Sequence, residues 1–311
     1  MPGLCYLTPY KEYKDNGIAR VLNFAGLVPP EQSRFFNWSK PFVQLETTRG
    51  CFNTCAFCVS GGEKPVRTLS IESIRRRLQL IHAHGIKNVR VLDRTFNYNP
   101  RRAKELLRLF LEFHPDIRFH LEIHPALLSE ELKEELSLLP KGLLHLEAGI
   151  QSLREPVLEK SRRMGKLSDA LDGLRFLCAL PNMETHADLI AGLPLYHLHD
   201  IFEDVRTLAE YAAGEIQLES LKLLPGTEMR RRAEESGIKY SPLPPYEVLQ
   251  THEINVSELQ TARQLSRLLD GFYNTPAWQA LTRELILNDE QFLHRFLTYL
   301  TKANLIDQPM S

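Results

Sequence analysis

Ile117-Arg118-Phe119-His120-Leu121-Glu122-Ile123-His124 alternates without a fault between apolar and polar side chains. A period of two marks a strand, because successive side chains point to opposite faces of a sheet. One face carries Ile117, Phe119, Leu121 and Ile123, and the other Arg118, His120, Glu122 and His124. The pattern returns along the chain. Gln44, Glu46 and Thr48 share a phase in 42–48, and His145, Glu147, Gly149 and Gln151 share one in 143–151. Glu184, His186 and Asp188 do so in 183–191, and Gln217 and Glu219 in 215–223. With 88–95 these make six candidate strands. Helical patterns over 70–84, 101–114, 129–139, 155–178 and 198–212 lie between them, so strand and helix alternate and the sheet is expected to be parallel.

A parallel sheet covered by helices on both faces has nearly continuous apolar strands. These strands have one polar phase each, so helices are expected on the apolar face while the polar face lines something wet or ligand-filled. A closed eight-stranded barrel fills its interior with branched apolar side chains and needs more strands than this chain offers. The expectation is an α/β fold with a curved, six-stranded sheet.

The first strand runs through Thr47-Thr48-Arg49-Gly50 into Cys51-Phe52-Asn53-Thr54-Cys55-Ala56-Phe57-Cys58. Three thiolates at C-x3-C-x2-C spacing can hold three irons of a 4Fe-4S cubane and leave the fourth open, whereas an electron-carrying cluster usually takes four cysteines. The competing reading is a zinc loop. Structural zinc takes four ligands, and no fourth cysteine or histidine stands at finger spacing. Five cysteines, an odd number with three crowded, make poor disulfide arithmetic and point to a reducing, cytoplasmic compartment. Cys178, at the end of the apolar stretch Leu174, Phe176 and Leu177, reads as core packing.

Residues 40–228 resemble the radical S-adenosylmethionine (SAM) enzymes, most of all their cobalamin-associated group. The cysteine motif is the hallmark of that family, with an aromatic residue, here Phe57, before the third cysteine. "LEAGIQSL" (146–153) is similar to the family's fourth strand and "DLIAGLP" (188–194) to its fifth. "QLESLKLLPGT" (217–227) is similar to the sixth strand of the cobalamin-associated members. The resemblance implies a partial (β/α)6 radical SAM barrel, a 4Fe-4S cluster on Cys51, Cys55 and Cys58, and SAM chelating the open iron. It implies an enzyme in which reductive SAM cleavage yields a 5′-deoxyadenosyl radical that abstracts hydrogen from a substrate, with methyl transfer among the outcomes. It also implies a one-electron reductant of the flavodoxin or ferredoxin type. Position by position, Phe57 would pack near the adenine. Glu122 and Asp188 would contact the ribose or adenosyl moiety. Gln151 and Arg163 would lie near the methionyl and ribose groups, with Arg162 an equal register for Arg163. The family's Gly-Gly-Glu at the end of strand two is replaced by "VLDRTFNYN" (91–99), which puts Asp93 near the SAM amino group; the "GGE" of this chain stands at 61–63. Cobalamin is a candidate cofactor, but the segment ahead of the barrel is too short for a cobalamin-binding domain.

The alternative is a non-enzymatic iron-sulfur or metal-binding redox module, which would take a fourth ligand from the protein. Any one of the histidines at 120, 124, 145 and 186 could serve as an acid, a base or a substrate contact, but each by itself reads first as a satisfied lumen residue. With 38 Lys and Arg against 39 Asp and Glu, no global charge draws the chain to nucleic acid. No apolar run approaches the roughly 20 residues of a membrane helix. Residues 1–40 read as an extension anchored by Phe35, Phe36 and Trp38, residues 41–228 as the core, and 229–311 as a helical C-terminal region. Helices in that last region are expected at 246–250, 257–271, 276–287 and 289–303.

Overall fold

All six strands form and pair in one parallel sheet. They are β1 (Val43–Leu45), β2 (Asn88–Val91), β3 (Arg118–Ile123), β4 (Leu144–Gln151), β5 (Glu184–Ala191) and β6 (Glu215–Ser220), adjacent in space in the order they occupy in the chain. The computed structural model describes residues 2–17, 19, 26–306 and 308. Helices α1 (Ile71–Ala83), α2 (Pro100–Leu111) and α3 (Glu130–Leu138) make the first three crossovers, α4 (Glu155–Lys160) with α5 (Leu167–Ala179) the fourth, and α6 (Leu198–Glu210) the fifth. Crossovers of one hand wind the helices onto one face. The result is an open, partial barrel.

Strands β3 and β4 alternate strictly between buried and half-buried residues. Phe119 and Leu121 are fully buried, and Phe119 stacks on Phe110 of α2 with ring centroids 4.0 Å apart. The polar phase faces the concave side. In β5 the alternation fails at its start, where Thr185 and His186 are buried along with Ala187. Helix starts follow capping chemistry: Ser70, Asn99 and Ser129 each accept a hydrogen bond from the backbone N–H three residues on.

Three expectations need correction. The stretch 155–178 is two helices, not one; the chain breaks at Ser161–Lys166, where Arg162 and Gly165 take positive φ angles of 56° and 103°. Residues 246–250 are not helical. Val248–Gln250 is a strand antiparallel to Lys239–Tyr240, because Pro244-Pro245 sit in a tight turn closed by the Tyr246 N–H to the Leu243 carbonyl at 2.8 Å and the Val248 N–H donates to the Leu221 carbonyl at 2.9 Å. In the N-terminal segment Phe36 and Trp38 pack on the core, and Trp38 stacks on His84 at 3.7 Å, but Phe35 is 81% exposed and anchors nothing.

Helices α7 (Glu228–Arg231), α8 (Val256–Leu268), α9 (Pro276–Asn288) and α10 (Phe292–Lys302) complete the chain, with a π-helical turn at Leu269–Tyr273. Glu31 forms a buried ion pair with Arg77 of α1 at 2.6 Å and fixes the N-terminal segment there. Beside it a cavity of about 680 Å³ opens at the β1 edge of the sheet, bordered by Gln44, Glu46 and Leu92.

Candidate functional site

The three cysteines ride a loop that leaves β1 at the C-terminal end of the sheet, where the open face of a parallel α/β unit takes its ligands. Backbone bonds fold this loop on itself. Cys58 N–H donates to Cys55 O and Gly61 N–H to Cys58 O, both at 3.1 Å, and Gly62 N–H to Asn53 O at 2.7 Å. At Gly61 a Cβ would stand 2.5 Å from the Cys55 carbonyl, so only glycine lets the chain pass. The "GGE" run therefore closes the cysteine loop through its backbone, and the Glu63 side chain pairs with Arg67 at 2.5 Å.

Cys51 and Cys55 are buried and Cys58 is half-buried. Burial pushes the Cys51 and Cys55 thiols up; the Arg163 guanidinium, with Nη1 3.9 Å from Cys55 Sγ, pulls Cys55 back down. Ser60 N–H donates to Cys58 Sγ at 3.4 Å. A structural zinc ion takes four ligands, whereas three thiolates can hold three irons of a cubane and leave the fourth open. Three soft donors on one loop fit such a cluster.

The helix break after α4 holds this loop in place. Ala56 N–H donates to Ser161 O at 2.9 Å, Thr54 Oγ1 to Arg162 O at 3.2 Å, and Met164 N–H to Asn53 Oδ1 at 3.0 Å. Arg163 turns inward and also donates to the Gly149 carbonyl of β4, whereas Arg162 turns outward to Glu228. Asn53 and Ser161 were not singled out by sequence. Asn53 sits inside the motif, and its compact amide suits local backbone bonding, which was the available signal.

The remaining candidates distribute as follows. Phe57 is half-buried against the core beside Cys58. Gln151 ends β4 with a φ of 74°, at a register shift against β5. Asp93 is 1% exposed, and both its oxygens face the segment that follows β1: Oδ1 accepts from the Thr47 and Thr48 N–H groups at 2.8 Å, and Oδ2 from the Thr47 hydroxyl. Glu122 and Asp188 lie on the concave face. Burial, then repulsion from Glu147, pushes Glu122 up to about 7, against the pull of Arg94 at 3.7 Å. Burial also pushes Asp188 up to about 7, against the pull of His186 at 3.5 Å.

Deeper on the same face the polar phase is a connected network. His120 Nε2 lies 2.8 Å from Glu147 Oε2, His145 Nε2 lies 2.7 Å from His186 Nδ1, and Arg118 donates to His145 Nδ1 at 2.9 Å. Burial opposes the Glu147 charge, but the hydrogen bond from His120 and the nearness of the His186 ring, Nε2 at 3.6 Å, outweigh it and hold Glu147 well below the usual carboxylate range. Burial, then the neighbouring His186, His120 and Arg118, lowers His145 to about 3.

A protein-family profile, Radical SAM superfamily, matches residues 45–208, more than half of the chain. A second, described as a protein of unknown function (DUF4080), matches residues 234–311. The ribosomal protein uS12 methylthiotransferase RimO of Moorella thermoacetica is 28% identical over 190 residues, 56% of this chain and 43% of that protein. The tRNA-2-methylthio-N(6)-dimethylallyladenosine synthase of Chloroflexus aurantiacus is 24% identical, over 66% of this chain and 47% of that protein. The chain thus spans less than half the length of these relatives. Among solved structures, the cobalamin-dependent SAM radical enzyme OxsB superposes with a TM-score of 0.64 at 14% identity, over 98% of this chain and 56% of the other. The radical SAM methyltransferase TsrM of Kitasatospora setae superposes with a TM-score of 0.55 at 20% identity, over 70% and 44%. Both share the fold. With a six-stranded parallel partial barrel and a three-cysteine loop at its C-terminal mouth, this chain belongs to the radical SAM superfamily.

Proposed function

We propose that the chain is the catalytic core of a radical SAM enzyme acting on a polar substrate held in the lumen of the partial barrel. One observation carries this reading: three thiols on a single loop, folded by its own backbone hydrogen bonds, stand at the mouth of a concave face lined by ionisable side chains. When bound, a 4Fe-4S cluster and SAM supply an electron and a cleavable sulfonium, the source of a hydrogen-abstracting 5′-deoxyadenosyl radical.

The residues of the chain divide the remaining work. Cys51, Cys55 and Cys58 would hold the cluster. Arg163 ties the cysteine loop to β4 and places a positive charge beside it. Phe57 offers an apolar wall for an adenine. Gln151, Glu122 and Asp188 offer partners for the ribose and the methionyl groups, which need hydrogen bonds once removed from water. The part proposed for Asp93 is indirect: it fixes the backbone of Thr47 and Thr48 that leads into the loop. A one-electron reductant of flavodoxin or ferredoxin type would approach from the loop side. Cobalamin is a second candidate cofactor, suggested by the names of the solved structures that share the fold. The balanced charge of the chain supports a substrate other than nucleic acid. The named relatives point to methylthiolation or methylation as the reaction type.

The test is anaerobic reconstitution with iron and sulfide, reduction by dithionite in the presence of SAM, and chromatography for 5′-deoxyadenosine. The nucleoside forms with the parent chain and is lost with Cys55→Ala. A fully loaded cluster that yields none would overturn the proposal in favour of a redox module capped by a fourth protein ligand.

A further inference from the structure

We propose that His120, Glu147 and His186 form a binding site for a borderline divalent cation, of the zinc or ferrous type, on the concave face and separate from the cysteine loop. The three residues come from adjacent strands β3, β4 and β5. Glu147 is paired in register with His186, and His120 with His145, next along β4 on the same face. One donor atom from each residue lies within 4.8 Å of the other two. Glu147 Oε2 is 2.8 Å from His120 Nε2 and 3.6 Å from His186 Nε2. Ligands bound at about 2.0–2.2 Å to one ion stand roughly 3–3.5 Å apart, so small side-chain shifts complete the site.

A second observation points to a missing occupant. His186 is 3% exposed, and its Nε2, which faces the other two donors, has no hydrogen-bond partner. Asp188 Oδ1, 3.5 Å away, is buried and equally unpartnered. Buried polar atoms are nearly always satisfied, and a cation on His186 Nε2 would satisfy that atom and place its positive charge beside Asp188. His145 stands behind His186 at 2.7 Å and fixes the orientation of its ring, the usual office of an outer-shell partner. Two imidazoles and a carboxylate favour zinc, ferrous iron or cobalt over magnesium or calcium. Glu147 precedes Gln151 at the strand end by four residues, about 13 Å along β4, so the ion would sit deep in the lumen. Three protein ligands leave a position facing the lumen for an oxygen, nitrogen or sulfur donor of a substrate. That anchoring role, unlike the ion site itself, rests on the function proposed above.

Proton placement adds a specific consequence. Arg118 only donates, so His145 now accepts at Nδ1 and donates from Nε2 to His186 Nδ1, which places the His186 proton on Nε2. An ion at Nε2 moves that proton to Nδ1, and His145 must then carry its own proton towards Arg118. Arg118 has Glu184 as its other partner and would turn to it. A glutamine at 118 can accept the His145 proton.

The experiment uses the full chain with Cys5→Ser, Cys51→Ser, Cys55→Ser, Cys58→Ser and Cys178→Ser, so that neither cluster nor thiolate contributes. The chain is stripped by chelator and titrated with Co2+ near neutral pH, with circular dichroism verifying the fold of each variant. The expected result is one equivalent of cobalt giving visible ligand-field bands without thiolate charge transfer, displaced by Zn2+. Adding His120→Ala or the near-isosteric His186→Gln weakens binding at least about tenfold, whereas Gln217→Ala does not, and Arg118→Gln binds as tightly or more so. Absence of saturable binding below millimolar cobalt, binding that survives both histidine substitutions, or weaker binding by Arg118→Gln would each overturn the site. None of these outcomes bears on radical formation at the cysteines.

Discussion

At the scale of single residues, two buried side chains act on the cysteine loop from outside it. Asp93 accepts three hydrogen bonds from Thr47 and Thr48, a few residues before Cys51. Asp93→Ala leaves those donors unmet and should cost about 3 kcal/mol, read as a lower urea midpoint together with poorer iron retention. Asp93→Asn keeps the oxygen that serves both N–H groups, and its amide can donate to the Thr47 hydroxyl, so it should cost about 1 kcal/mol or less. Equal losses from the two substitutions would show that packing, not the hydrogen bonds, is at stake. His124 is the other such residue. It is 4% exposed; its Nε2 lies 3.0 Å from the Met164 carbonyl, while its Nδ1 has no partner. Burial, then the Arg163 charge, lowers it from 6.5 to about 3. A histidine depressed on folding contributes stability that is fully present above its unfolded value and is lost as pH falls from there towards the folded one. Below about 6.5, each pH unit should therefore remove up to about 1.4 kcal/mol through this residue. The gap between urea midpoints at pH 5 and pH 7.5 in cofactor-free protein should shrink in His124→Gln. An unchanged gap would assign the acid sensitivity to other groups.

At the scale of elements, the break between α4 and α5 decides whether the site assembles. Gly165 holds a φ of 103°, and a Cβ there would stand 3.2 Å from both His124 Cε1 and Ala126 Cβ. Gly165→Ala should cost about 2 kcal/mol from the left-handed backbone and the crowding together. It should also loosen Arg163 from Cys55 and Gly149, lowering iron retention on reconstitution. Met164→Ala, which alters a side chain 46% exposed and leaves the N–H that bonds Asn53, should do neither. If the two variants behave alike, the break is a passive connection. This element also marks where sequence reading stops. The six strands were legible because each offers a period-two face, and the three cysteines because their spacing is rare. The break was not, since the apolar periodicity of 155–178 continues across it and only Gly165 interrupts it. The strand at 248–250 escaped because it is three residues long and defined by a partner, Lys239–Tyr240, that is equally short. Arg163 was legible as a candidate, but its choice over Arg162 depends on which side of the break each faces, which tertiary contacts alone decide.

At the scale of the whole molecule, an open sheet leaves two edges, and an unpaired edge invites pairing with another chain. The tail closes one of them. The Asn274 side chain makes both backbone bonds of a neighbouring strand to Ile216 of β6, accepting from its N–H at 2.9 Å and donating to its carbonyl at 3.0 Å. The Tyr273 hydroxyl donates to Ala213 O at 2.9 Å. Helices α6 and α9 cap each other: Arg283 reaches the Ala209 carbonyl at the end of α6, and Arg206 reaches the Ile286 and Leu287 carbonyls at the end of α9. Cations at helix C-termini meet the negative end of the helix dipole. A segment bound in this way is part of the barrel's fold rather than an appendage hung beside it. Asn274→Ala should therefore leave the elution volume of the chain unchanged and make it about 1–3 kcal/mol less stable, because it unpairs two groups of a half-buried edge. Removal of residues 234–311 should do more. It bares the β6 edge along with the apolar surface that Leu259, Leu265, Leu268 and Tyr273 now cover, and size-exclusion chromatography should find the shortened chain oligomeric or insoluble. A monomeric 1–233 chain that melts at the temperature of the full one would show that the tail protects nothing and serves a partner instead.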